Sequence, residues 1–105
     1  MKDNRNISEL IKTVAKGYFP DGEVMLFGSR LRNSASADSD YDILIVTDQE
    51  LSSEEKISFR TRIRKDLLKD GIRSDILIQN REEIEKKKKL PGHIIRNIIK
   101  EAIML

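Results

Sequence analysis

The sequence predicts an α/β (α+β) domain over residues 1–105, a small mixed β-sheet flanked by helices in the order αβαβαβα. Two observations lead to this class. Three β-rich apolar runs of strand length stand apart along the chain, and the stretches between and beyond them are polar, with apolar residues at helical spacing where they are long. A chain of 105 residues buries roughly 65% of its unfolded surface, enough for one core without staples. No linker or internal repeat interrupts it.

The elements follow in order. Ile7, Leu10, Ile11, Val14, Ala15 and Tyr18 recur at helical spacing, and Asn6 followed by Glu9 forms a capping-box-like start, so the first helix is expected from about Ile7 to Lys16. Gly17 and the Pro20-Asp21-Gly22 turn stop it before the first strand, Val24-Met25-Leu26-Phe27, which ends at Gly28-Ser29. Ser29 to Ser39 is small and polar and is read as a helical turn and loop. Tyr41 to Thr47 is the second strand. Ser52 with Glu55 makes a capping box, Phe59, Ile63 and Leu67 repeat every fourth residue, and Asp70-Gly71 ends this second long helix. The third strand runs from Ile72 to Ile78. Asn80 with Glu83 caps a short charged helix. Pro91 opens another, in which Ile94, Ile95, Ile98, Ile99 and Ala102 make an apolar stripe.

Composition removes several function classes. Without cysteine there is no disulfide framework, thiolate zinc site or thiol nucleophile, and a cytoplasmic location is expected. Met1-Lys2-Asp3-Asn4-Arg5 leads into an amphipathic stretch, and no segment has the length and apolarity of a membrane span, so no membrane association is expected. A net charge of +2 is too small to argue for direct nucleic-acid binding, although 36% of residues are charged. The run Lys86 to Lys89 reads as a solvated face or turn.

The chemistry concentrates in Leu26-Phe27-Gly28-Ser29-Arg30 and in Asp38-Ser39-Asp40-Tyr41-Asp42-Ile43-Leu44-Ile45-Val46. Side chains alternate along a strand, so Asp40 and Asp42 share one face and Tyr41, Ile43 and Ile45 take the other, into a core. Two carboxylates side by side repel, and a hard divalent cation that prefers oxygen, Mg²⁺ above all, is the usual remedy. Asp75, set among aliphatic neighbours that predict burial, can join them if its strand lies next to the second. Gly28 lets the backbone turn sharply and approach a ligand. Ser29 then stands at the start of the following helical turn, with its hydroxyl and N–H available to phosphate oxygens. Together these parts suit metal-assisted phosphoryl transfer with a carboxylate as proton acceptor. A calcium EF-hand built on Asp38, Asp40 and Asp42 fails, because its sixth position is Ile43 and its twelfth Gln49. No Walker A or dinucleotide fingerprint is present. His93, beside Pro91-Gly92, reads as a surface or helix-start residue.

Gly28-Ser29, then ten residues, then Asp40-Tyr41-Asp42 resembles the glycine-serine and paired-aspartate signature of the minimal nucleotidyltransferases of the DNA polymerase β-like superfamily. The resemblance covers most of the chain; its one departure is Asn33, where many relatives have glycine, and Asn also tolerates a left-handed backbone. It implies two Mg²⁺ on Asp40 and Asp42, with Asp75 completing the carboxylate set as a further ligand and base. It also implies ATP phosphates held by Gly28 and Ser29, with Arg30 and Ser39 as further nucleotide contacts. Small members of this family are often antitoxins that transfer AMP to a tyrosine of a HEPN-domain ribonuclease toxin, so the resemblance implies a protein adenylyltransferase with a HEPN toxin as partner, in a homo- or hetero-oligomer. The short chain leaves no room for an acceptor-holding domain, so the acceptor surface is expected from the partner. Two rival readings are an antitoxin that acts mainly by complex formation and a small-molecule transferase of the aminoglycoside-modifying kind.

Overall fold

The computed structural model describes residues 4–28 and 40–105, with side chains from residue 7 onward. Its elements are α1 (Asn4–Tyr18), β1 (Glu23–Phe27), β2 (Tyr41–Thr47), α2 (Ser53–Lys69), β3 (Ser74–Asn80), α3 (Arg81–Lys87), α4 (Ile94–Glu101) and β4 (Ile103–Met104). The four strands form one mixed sheet in the order β3-β2-β1-β4. β1 runs antiparallel to both of its neighbours, and β2 runs parallel to β3 with α2 as the crossover. This is the small mixed sheet with flanking helices that the sequence predicts. The helical turn expected between the first two strands lies outside the described residues.

β2 explains the architecture. Its Ile43-Leu44-Ile45-Val46 run is apolar without alternation because the strand is central and covered on both faces. Ile43 and Ile45 join Ile76, Ile78 and Val24 beneath α1 and α2, where Ile11, Ala15, Phe19, Ile63 and Leu67 complete the larger core. Leu44 and Val46 face the other way, onto Ile84 of α3 and Ile95 and Ile98 of α4. Phe19 is fully buried and packs its ring against Phe59 at 4.8 Å between centroids.

The boundaries differ from expectation in instructive places. α1 begins at Asn4, so Asn6 lies inside the helix and is not its cap; the helix also continues through Gly17 to Tyr18. β3 begins at Ser74, two residues later than expected, because Ile72 is used to close α2: Gly71 takes a positive φ of 75° and the Ile72 N–H donates to the Leu67 carbonyl. Pro91 lies in a turn, and α4 starts three residues later with His93 as its cap, the Ile95 N–H donating to Nδ1 at 3.1 Å. Of the expected stripe, Ile95 and Ile98 are buried, Ile94 is 65% exposed, and Ala102 lies past the helix end. β4 was not foreseen; at two residues it carries no sequence signal that separates it from a helix tail.

Both expected capping boxes form. The Glu55 N–H donates to Ser52 Oγ and the Ser52 N–H to Glu55 Oε1, and Asn80 and Glu83 exchange the same pair at the start of α3. Glu83 also receives Lys56 Nζ at 2.7 Å, which ties α3 to α2. Burial works to raise the Glu83 pKa, but the Lys56 hydrogen bond and the Asn80 N–H outweigh it, and the net shift is downward.

Ser52→Ala should lower stability by about 1 kcal/mol, a few degrees in Tm for a domain of this size, measured by thermal unfolding. For Glu83 the folded pKa lies below its ordinary value of 4.5, so its stabilising contribution is complete above that pH and is lost as pH falls through the folded value. Glu83→Gln should therefore lower Tm at pH 7, and the deficit should shrink steadily on acidification below pH 4.5. A pH-independent deficit would assign the effect to packing and not to charge.

Candidate active site

β2 and β3 position the carboxylates. Their parallel pairing places Asp42 directly beside Asp75, and side chains of directly paired residues project from the same face of a sheet. Asp40 precedes β2 by one residue. It meets Arg73 at the start of β3, with Arg73 Nε 3.2 Å from Asp40 Oδ1. On its other side β2 pairs antiparallel with β1, setting Phe27 opposite Asp42 and bringing Gly28 to the same end of the sheet. The structure thus gathers Gly28, Asp40, Asp42 and Asp75 at the start of β2. Ser29, Arg30 and Ser39 lie outside the described residues.

Gly28 is there for a steric reason. Its φ is +85°, and a Cβ built on it would lie 2.9 Å from Asp42 Cγ and collide with Oδ2. Only a residue without a side chain lets the main chain pass this close to the carboxylate while turning left-handed.

The electrostatics mark Asp42. Its carboxyl pKa is raised above the ordinary 3.8, first by burial and then by the negative charges of Asp75 and Asp40. Asp40 shows a different sign of the same shortage: Oδ1 is shielded from solvent and has no hydrogen bond, because Arg73 Nε is close enough to form an ion pair but is not aligned to donate. Asp75 corrects an expectation of burial. It is exposed, because β3 is an edge strand and the helices that cover this face reach Leu77, Leu44 and Val46 but not the strand's start.

This donor set fits a divalent cation: oxygen ligands only, like charges held side by side, and one carboxylate oxygen left without a donor. Among the described residues no three acidic or histidine side chains are already closed into a ligating cage. Mg²⁺ sites that act on nucleotides take one or two carboxylates and complete the shell with phosphate oxygens and water, so a closed cage is not what such chemistry requires. Sequence reasoning did not single out Arg73 or Ser74, whose buried hydroxyl also lacks a hydrogen bond. Their neighbourhood with Asp40 depends on the parallel register of β2 and β3, which no local pattern announces.

The described residues contain no helix long and apolar enough to cross a membrane. Comparison with known proteins places the geometry in context. The profile of the nucleotidyltransferase domain matches residues 7–105. No curated protein matches the chain significantly. Among solved structures, a protein provisionally assigned as a minimal nucleotidyltransferase superposes with a TM-score of 0.65 at 23% identity, covering 99% of this chain and 97% of that one. A chain from the complex of a tri-AMPylated Shewanella oneidensis HEPN toxin with its MNT antitoxin gives 0.57 at 13% identity, covering 95% of this chain and 69% of that one. A chain from a toxin–antitoxin structure with AMP-PNP gives 0.61 at 16%, covering 97% and 72%. At these identities the structural likeness speaks to fold, whereas the profile match spans nearly the whole sequence; the chain belongs to the nucleotidyltransferase domain family.

Proposed function

We propose that this nucleotidyltransferase domain transfers AMP from ATP to a hydroxyl of a partner protein, with a tyrosine of a HEPN-domain toxin as the acceptor, and so acts as the antitoxin of a cytoplasmic toxin–antitoxin pair. The observation that carries the reading is the in-register pair of Asp42 and Asp75 facing Gly28 at one end of the sheet. Family membership supports the transfer, and the toxin–antitoxin complexes among the fold's relatives, one with a tri-AMPylated toxin and one with AMP-PNP, support the acceptor and the nucleotide.

In this reading the acceptor oxygen attacks the α-phosphorus of ATP, the bond from that phosphorus to the β-phosphate oxygen breaks, and pyrophosphate leaves. Asp40 and Asp42 would hold Mg²⁺, which when bound neutralises the charge gathering on the attacking and leaving oxygens. Asp75, exposed at the edge of the pair, is open to an incoming acceptor and takes its proton. Gly28 supplies the close main-chain approach for the phosphates, with Ser29, Arg30 and Ser39 as the further nucleotide contacts in this reading.

The direct test incubates the protein with Mg²⁺, a HEPN-domain toxin and ATP labelled at either the α- or the γ-phosphate, with Asp40→Asn/Asp42→Asn as control. Label on the toxin from α-labelled ATP alone, lost in the double variant, is the expected result. Transfer of γ-label would make the protein a kinase, and tight binding without transfer would leave inhibition by complex formation.

Asp42→Asn should slow transfer at least about a hundredfold, since the metal's contribution amounts to several kcal/mol. Its effect on stability should run the other way. A folded pKa above 3.8 means that ionisation of Asp42 weakens the metal-free fold as pH rises through that window. The metal-free variant should therefore melt at or above the wild-type Tm at pH 7. That gap should close below pH 3.8, and Mg²⁺ should raise the Tm of the wild type only.

Gly28→Ala should cost about 1–2 kcal/mol from the left-handed backbone alone, with more from the collision with Asp42. ATP should protect this variant from thermal unfolding much less than it protects the wild type. Undiminished protection would remove Gly28 from the nucleotide site.

A further inference from the structure

β3 forms one border of the sheet, and no described strand pairs with its outer side. The pairing with β2 decides which of its groups face outward. The Tyr41 N–H donates to the Arg73 carbonyl, so the main chain of Arg73 and of every second residue after it turns toward β2, while that of Ser74, Ile76, Ile78 and Asn80 turns away. At the far end the chain satisfies its own groups: Gln79 Nε2 donates to the Ile78 carbonyl at 2.9 Å and the Asn80 N–H to Glu83 Oε1 at 3.0 Å. The N–H groups of Ser74, Ile76 and Ile78 and the carbonyls of Ser74 and Ile76 have no partner among the described residues. Proteins usually blunt such an edge with proline, lysine or a bulge, and β3 has no proline or lysine and pairs in unbroken register.

α2 runs alongside this edge in the opposite direction. Ser53, Ile57, Arg60, Arg64 and Leu68 fall on one stripe of the helix and border two hollows of about 270 Å³ each, one against Leu77 to Gln79 and the other against Arg73 and Ser74. The hollows lie end to end, and the second reaches Asp40. Ile57 and Leu68 are each 53% exposed. Arg60 and Arg64 have no ion-pair partner among the described residues, whereas Lys56 is held by Glu83 and Arg73 by Asp40. Of the three acids of α2, Glu55 is held in the cap and Asp66 on Tyr18, while Glu54 lies in the first turn at the Ser53 end, away from Arg60 and Arg64.

We infer that the groove between α2 and β3 docks an acidic segment of the acceptor protein, taken up in extended form as an added strand on β3. Main-chain hydrogen bonds to Ser74, Ile76 and Ile78 would hold it. Alternate side chains would turn toward α2, carboxylates meeting Arg60 and Arg64 and apolar groups covering Ile57 and Leu68, and the segment would lead toward Asp40. A nucleic acid could use the arginines but has no alternating donors and acceptors to match a strand edge. The identity of the segment as acceptor rests on the transfer reading; the docking itself does not.

The test uses the full chain without metal or nucleotide, so that it stands apart from catalysis, and a copolymer of glutamate and tyrosine as the acidic probe. Arg60→Ala/Arg64→Ala should weaken binding about tenfold, while Arg62→Ala/Lys65→Ala, the same charge change on another face of α2, should leave it nearly unchanged. Amide exchange at Ser74, Ile76 and Ile78, followed by NMR, should slow when the probe binds. Equal losses in the two double variants, or unchanged exchange at these amides, would overturn the inference. So would tighter, Arg60- and Arg64-dependent binding of a single-stranded oligonucleotide without amide protection. Probe binding with these signatures by a protein that transfers nothing would sink the transferase reading and leave the docking surface standing.

Discussion

The site depends on β2 holding two different partners in fixed register. Its parallel pairing with β3 sets Asp42 beside Asp75, and its antiparallel pairing with β1 sets Phe27 opposite Asp42 and Gly28 next to it. A slip of one residue in the β2–β3 ladder would send Asp42 and Asp75 to opposite faces, and one in the β1–β2 ladder would move Gly28 out of place beside Asp42. The register is held by burial, because Ile43 and Ile45 on one face and Leu44 and Val46 on the other are all in cores. An apolar strand packed on both sides thus fixes a polar site at its own start.

Placing like charges at the end of such a strand works against the fold. Burial and the neighbouring aspartates raise the Asp42 pKa, and Asp40 keeps an oxygen without a donor even with Arg73 beside it. The larger core beneath α1 and α2 and the cap network of Asn80, Glu83 and Lys56 supply stability elsewhere. A second cluster of charge, Arg81 with Asp48 and Glu23, lies at the opposite end of the sheet and joins α3 to β1 and the turn after β2. The end that carries the aspartates has the less satisfied groups, which is the usual division between a scaffold and a site.

The open border of β3 bears on Asp75 as well as on docking. An edge strand leaves Asp75 exposed beside a half-buried Asp42, so the two are chemically identical side chains in unlike surroundings. Unlike surroundings are what separate a ligand from a base among carboxylates. The same border, with Arg60 and Arg64 above it, is where the proposed acceptor segment would approach Asp75 along the sheet.

Much of this was legible in the sequence. The bounds of β2, the capping boxes at Ser52 and Asn80, and the helical repeat of Phe59, Ile63 and Leu67 are local signals: hydrogen bonds within four residues and periodicities within one element. The turn at Gly28 followed from glycine's conformational freedom, whereas Asp40, expected on the face of Asp42 by strand alternation, precedes β2 and borders the hollow beside Arg64 and Leu68 of α2. Tertiary structure alone decided the rest. Asp75 is exposed because β3 is a border strand, Arg73 meets Asp40 because two strands far apart in sequence run parallel, and the last residues form β4 because β1 had a free side. Sequence patterns report what each segment would bury or cap; which segment lies next to which is settled only when the apolar faces compete for one core, and there the register that makes the site is chosen.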